Sequence, residues 1–154
     1  MLRVRESGLD DFDQLWRIDQ QCFSSGIAYS REELAQYMGI RGAFTLAGES
    51  EDGAGNSHIT GFVLATRDRR GTGRIITIDV LEEARRHGLG SQLIEAAETR
   101  LREQGCTRAL LEVAVDNAAA IAFYKRHQYA VLKTLPRYYL DTLDALLMEK
   151  KLAG

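Results

Sequence analysis

Cysteine is scarce in this sequence, proline scarcer, and neither sign of charge prevails. Cys22 and Cys106 are the only two cysteines among 154 residues and form no pattern. That excludes a disulfide framework and a cysteine-based metal site, and no metal is expected. Core packing accounts for both thiols. The single proline, Pro136, falls in a late loop, and no repeat, low-complexity tract or linker interrupts the chain. Long apolar runs are also missing. None approaches the roughly 18 residues of a membrane helix, so no membrane partner is expected. The N-terminus, Met1-Leu2-Arg3-Val4-Arg5-Glu6, alternates and lacks the apolar stretch of a signal peptide. A reducing cytoplasm is therefore the expected location. Lysine and arginine number 20 against 22 acidic residues, a net charge of −2. Such a balance provides no basic field for nucleic acid.

What remains is an ordinary globular composition, 45% hydrophobic and 27% charged, in a chain of single-domain length, residues 1–154. Its most informative stretch is 76–91. A β-branched strand, Ile76-Thr77-Ile78-Asp79-Val80, runs into the basic turn Arg85-Arg86-His87-Gly88-Leu89-Gly90-Ser91, where an amphipathic helix begins. A first helical turn leaves about four N–H groups without intrahelical partners and carries roughly half a positive charge. That suits a phosphate-bearing ligand. Gly88 and Gly90 let backbone approach it closely. A P-loop is excluded, because Gly90 is followed by Ser91-Gln92 rather than Lys-Ser/Thr. The dinucleotide fingerprint is excluded because Leu93 stands where its third glycine belongs. A Gly-x-Gly before a helix also serves as a plain strand-to-helix turn.

Periodicity gives the remaining elements. Strands are predicted at Leu2–Arg5, Ala43–Gly48, His58–Thr66, Gly73–Val80, Ala109–Val115, Tyr129–Thr134 and Ala145–Lys151. Helices are predicted at Leu9–Cys22, from Ser30 to Met38 behind the capping box Ser30-Arg31-Glu32-Glu33, at Leu89–Gln104, and from Asn117 to His127. Glu49–Ser57 reads as a long connection and Leu135–Asp144 as a loop. Glu95, Glu98, Arg100, Arg102 and Glu103 read as the solvated face of the third helix. The order gives an α/β domain: a mixed seven-stranded sheet with helices on both faces.

Glu112 interrupts the apolar strand Leu110-Leu111-Glu112-Val113-Ala114-Val115. A carboxylate there is costly unless it is paired, hydrated or functional. Burial would push its pKa up, the direction a general base near neutral pH requires. Tyr124 lies on the following helix, where a core aromatic is the plain alternative, and Asn117 on its own is a helix cap.

The six residues Arg85–Gly90 resemble the (Arg/Gln)-x-x-Gly-x-(Gly/Ala) motif of the GNAT acetyltransferases, and the element order is theirs over nearly the whole chain. Leu111-Glu112-Val113, followed by Asp116-Asn117-Ala118-Ala119-Ala120-Ile121-Ala122-Phe123-Tyr124, is similar to a stretch of the bacterial ribosomal-protein-alanine N-acetyltransferases. It is also similar to the catalytic subunits of archaeal and eukaryotic N-terminal acetyltransferases. Arg137-Tyr138-Tyr139 and Asp144-Ala145 resemble the bacterial family's C-terminal segment. The resemblance implies acetyl-CoA as cosubstrate, held by Ile78, Val80, Arg85, Arg86, His87, Gly88, Leu89, Gly90, Ser91, Asn117 and Tyr124. It implies direct attack by an acceptor amine, with Glu112 as general base and Tyr124 as general acid. The strand ending at Val80 should splay and leave its N–H for the developing oxyanion. Phe23, Tyr29, Asp79, Tyr138 and Tyr139 are expected around the acceptor.

The chain departs from the family pattern at several points. Glu82 replaces a common proline. His127-Gln128-Tyr129 lacks the usual C-cap glycine. Phe23-Ser24-Ser25-Gly26-Ile27-Ala28-Tyr29 replaces a Phe-x-x-Pro-Trp loop. Arg137 stands where asparagine is common, and Asp79 is an uncommon choice. Three functions stay open. The first is acetylation of a protein or peptide N-terminus by a monomer or homodimer. The second is acetylation of a small amine, an amino acid or polyamine. The third is an acetyl-CoA-binding module without turnover.

Overall fold

The computed structural model describes residues 2–23 and 27–152. Ser24, Ser25 and Gly26, part of the predicted Phe23–Tyr29 loop, lie outside the described residues. The strands are β1 (Leu2–Glu6), β2 (Phe44–Glu51), β3 (Ser57–Arg67), β4 (Thr72–Val80), β5 (Arg108–Ala114), β6 (Ala130–Tyr139) and β7 (Leu143–Lys151). The helices are α1 (Phe12–Cys22), α2 (Arg31–Met38), α3 (Leu89–Glu103) and α4 (Ala118–Arg126), with 3-10 turns at Leu9–Asp11 and Glu82–Ala84. The seven strands form one mixed sheet in the order β1-β2-β3-β4-β5-β7-β6. Among the described residues only the β4–β5 pair is parallel.

Helices cover both faces. Leu93, Ile94, Ala97 and Leu101 of α3 and Tyr124 of α4 pack with Val63, Ile75, Leu111 and Met148 on one side. Leu15 and Ile18 of α1 and Leu34 of α2 pack with Ala47, Phe62 and Leu64 on the other. Leu15 and Ile18 stand one turn apart, so α1 presents a single stripe to the sheet. The Ser30 capping box forms as predicted: Glu33 N–H donates to Ser30 Oγ at 3.1 Å, and Ser30 N–H donates to Glu33 Oε1 at 2.9 Å.

Two predicted loops are shorter than expected because strands run into them. β2 and β3 continue to Glu51 and Ser57, and a short turn joins them. Asp52 Oδ1 closes that turn by accepting from the N–H groups of Ala54 and Asn56. β6 runs on to Tyr139 through a bulge at which Arg137 takes φ 52°, its N–H donating to Asp144 Oδ1 at 3.0 Å. The acidic and glycine residues of 52–56 are turn residues, and Pro136 lies inside β6, beside the bulge. Glu98 is also not on a solvated face. It is 2% exposed, accepts from Tyr129 Oη at 2.9 Å and Lys150 Nζ at 2.8 Å, and pushes the Tyr129 phenol up in addition to burial.

One irregularity sets the site. Leu64 pairs with Thr77 but Ala65 pairs with Ile75, so Ile76 is an extra residue on β4. Such a bulge bends its strand and increases its twist. The parallel pairing of β4 with β5 stops at Ile75↔Leu111, the residue before the bulge, and the two strands then part.

Candidate active site

Beyond the bulge, β4 is paired on one side only. Leu81 N–H donates to Thr60 O at 2.8 Å, so the Thr60/Leu81 pair exchanges hydrogen bonds with β3. Antiparallel pairs alternate, and the neighbouring Gly61/Val80 pair therefore turns its polar groups the other way. The N–H groups of Val80 and Ile78 point into the gap left by β5. Val80 O is on the same side and accepts from Arg85 Nε at 2.8 Å.

At the mouth of this gap the chain turns through Arg86, φ 68°, and Gly88, φ 90°, into α3. Gly88 is the helix N-cap, and the first intrahelical bond is Gln92 N–H to Gly88 O at 3.0 Å. The N–H groups of Leu89, Gly90 and Ser91 are left over for an anion. Arg85, Arg86, His87 and Gly88 are exposed, whereas the Leu89 side chain is buried and only its backbone faces the turn. A Cβ on Gly90 would lie 3.3 Å from Phe123 Cε1. Ser91 Oγ is already engaged by His127 Nε2 at 2.9 Å, which ties the start of α3 to the end of α4. Asn117 is the α4 cap, its Oδ1 accepting from Ala120 N–H at 3.1 Å.

Glu112 and Tyr124 flank the same region from opposite faces. Glu112, on β5, is not an isolated buried carboxylate: it pairs with the Arg74 guanidinium of β4. Tyr124 is 8% exposed, stacked edge-on against Phe123 and Tyr129. Its phenol is pushed up by burial, with Asp79 and Tyr139 adding to the effect. A phenol held in its protonated form is one that can donate. Tyr139 is raised to about 12, by burial and then by Tyr138 and Glu112. Tyr138 is about half exposed and stands edge-on to Tyr139. Tyr29 stacks on Tyr37 of α2 at 5.2 Å between ring centroids, and Tyr138 and Tyr139 are near neighbours of Tyr29. Four tyrosines and Glu112 thus share the face on the α1 and α2 side.

Phe23 ends α1, its N–H donating to Asp19 O at 3.1 Å. Asp79, expected to touch an acceptor, is 1% exposed and turns instead toward Asp19 of α1. The structure adds Arg74, Tyr37 and Asp19, which local sequence patterns did not single out. Cys22 gains a basic neighbour, with its Sγ 4.0 Å from Arg85 Nη2. Burial and then Asp79 nevertheless raise its thiol to about 11, so it is no thiolate nucleophile near neutral pH. Among the described residues no group of three His, Cys, Asp or Glu could hold a metal ion, and no helix is long and apolar enough to cross a membrane.

Residues 12–129 match the model of the acetyltransferase (GNAT) family. The chain belongs to that family. An uncharacterized N-acetyltransferase of Methanocaldococcus jannaschii is 38% identical over 62% of this chain and 62% of its own length, so the chain spans under two thirds of that relative. The N-alpha-acetyltransferase of Sulfurisphaera tokodaii is 32% identical over 95% of this chain and 90% of its own. The crystal structure of Ard1 from Thermoplasma volcanium superposes with a TM-score of 0.84 at 28% identity, covering 99% of both chains. The seven-stranded α/β architecture is thus the GNAT fold.

Proposed function

We propose that this chain transfers the acetyl group of acetyl-CoA to the N-terminal α-amine of a protein or peptide, without an acyl-enzyme. The observation that carries the reading is the gap between β4 and β5, with Val80 N–H turned into it, an anion cradle at its mouth and a tyrosine-lined face beside Glu112. The relatives named for N-alpha-acetylation support the acceptor class.

Arg85, Arg86 and the α3 N-terminus would hold the pyrophosphate, and bound acetyl-CoA supplies an activated acyl group. Glu112 takes the ammonium proton of the acceptor through water, Arg74 orienting the carboxylate. As the new C–N bond forms, Val80 N–H donates to the carbonyl oxygen that gathers charge. As the C–S bond breaks, Tyr124 gives its proton to the departing sulfur, and the second proton that the nitrogen sheds on becoming an amide restores the phenol through water; the raised phenol keeps its proton until it is needed. The high Cys22 thiol agrees with direct transfer.

Magnitudes favour an α-amine over a lysine. At pH 7 about a tenth of an amine of pKa near 8 is neutral, against about one in 2,500 at pKa near 10.4. A single carboxylate suffices for the first. Tyr29, Tyr37, Tyr138 and Tyr139 suit a peptide backbone better than a polyamine, which calls for acidic walls.

Thiol release from acetyl-CoA, measured with short peptides of varied first residue, polyamines and amino acids, tests the reading. Turnover is expected on free peptide N-termini, falling about a hundredfold or more in Glu112→Gln and in Tyr124→Phe. Turnover confined to small amines would overturn the acceptor class. Unimpaired Glu112→Gln would remove the base.

A further inference from the structure

Asp19 and Asp79 are buried against each other beneath the tyrosine-lined face, 0% and 1% exposed. Each carboxylate has one oxygen served. Tyr29 N–H donates to Asp19 Oδ2 at 2.8 Å, and Thr77 Oγ1 donates to Asp79 Oδ1 at 2.5 Å. Each also has one buried oxygen without a hydrogen-bond partner among the described residues, Asp19 Oδ1 and Asp79 Oδ2. Buried polar atoms are almost always satisfied, so two orphans on facing groups call for an explanation.

Among the described residues no cation supplies one. The groups that face the pair are the Cys22 thiol of α1, the Tyr29 phenol, the Tyr124 phenol of α4 and the Arg85 guanidinium of the turn after β4. The thiol and the two phenols carry no positive charge. Arg85 is exposed and spends its Nε on Val80 O. Two ionised carboxylates in hydrogen-bonding contact cannot both persist in a dry interior, and a single proton between them removes the repulsion and satisfies both oxygens. Burial, followed by the neighbouring Asp19, raises the Asp79 carboxyl well above its usual range, which agrees.

We propose that Asp79 Oδ2 donates a shared proton to Asp19 Oδ1, and that this acid–carboxylate clasp is a positioning device that fixes the acceptor wall to the reacting end of β4. One arm is Asp79, next to Val80 in the strand. The other arm is Asp19, which grips Tyr29 by its N–H. The carbonyl of the same residue is held by Trp16 Nε1 at 3.2 Å and Gln20 Nε2 at 2.6 Å, both from α1. Losing the proton would set two like charges against each other and push α1, with Tyr29, away from β4. The acceptor role of Tyr29 rests on the function proposed above; the shared proton does not.

The test uses the full chain, with Asp79→Asn and Asp79→Ala beside the wild type. Infrared spectra at neutral pH should contain a protonated-carboxyl C=O stretch that is lost in Asp79→Asn. Acceptor KM should rise about tenfold or more in Asp79→Ala, the scale on which small misplacements act, while the acetyl-CoA KM stays put. Asp79→Asn should return acceptor KM to within a few-fold of wild type, because its amide donates to Asp19 as the acid does. Wild-type acceptor KM should climb as alkaline pH removes the proton, and the asparagine variant should stay flat. A wild type without the carboxyl band, a band that survives Asp79→Asn, or an alanine variant equal to the asparagine one would overturn the clasp. If no amine reacts, the proposed function fails, and the infrared result still decides the clasp.

Discussion

Glu98 lies on α3 among residues whose charge suggests solvent, yet it is 2% exposed and serves both Tyr129 and Lys150. Removing one partner of a buried ion pair leaves the other uncompensated, at a cost of about 3 kcal/mol or more. Glu98→Ala should therefore lower the unfolding free energy measured in urea by about that amount, whereas exposed Glu95→Ala should change it by less than about 0.5 kcal/mol. Arg74 is the corresponding case at the site. Arg74→Ala leaves Glu112 without its orienting donor and should lower kcat/KM about tenfold, the scale of one charge-assisted hydrogen bond, with lysine restoring part of it. Neither pairing is legible in the sequence. Glu112 is visible because it breaks an apolar strand, but Arg74 is 38 residues away and Lys150 is 52 from Glu98, so the partners meet only through the β4–β5 register in the first case and the packing of α3 on the sheet in the second.

At the scale of elements, helix and strand positions were legible because their signals are local. The Ser30 box starts α2, Asn117 starts α4, and alternation marks the strands. Hairpins were the exception. Acidic and glycine residues at 52–56 close a turn between paired strands, Asp144 holds the β6 bulge, and composition alone does not separate either from a loop. The missing C-cap glycine after α4 has a structural consequence, since Gln128 takes φ 70° in its place. Left-handed backbone costs a side chain about 1–2 kcal/mol, part of which glycine gives back through unfolded-state entropy. Gln128→Gly should raise the melting temperature, corresponding to about 0.5–1 kcal/mol. Gly61→Ala should do the reverse. Its Cβ would sit 2.6 Å from the Asp79 carbonyl, a backbone atom, and overpacking of this kind costs about 1–3 kcal/mol.

For the molecule as a whole, acid and base act through different groups. Asp11 is held low by its hydrogen bond from Arg5, so the stability it contributes is present above its unfolded value of 3.8 and is lost as pH falls through the folded one. Asp79 works in the opposite sense. Its folded value is raised, so folding keeps a proton that the unfolded chain has lost, and its contribution, complete below 3.8, disappears as pH rises through the folded value. Urea midpoints followed upward from about pH 5 should decline in wild type more steeply than in Asp79→Asn. The architecture was readable from the sequence because seven strands and four helices in this order admit few packings. The placement of Asp19 against Asp79 was not, since α1 and β4 meet only across the folded core. The parting of β4 from β5 has a further consequence. Four register pairs join β4 to β5, and the amides of Ile78 and Val80 face the seam. They lie within a half-buried strand but lack a strand acceptor, so deuterium should reach them quickly in the free protein and slowly once a ligand's own carbonyls stand in for the missing strand. Two backbone sites would then serve as an occupancy gauge that needs no attached probe and no knowledge of the acceptor.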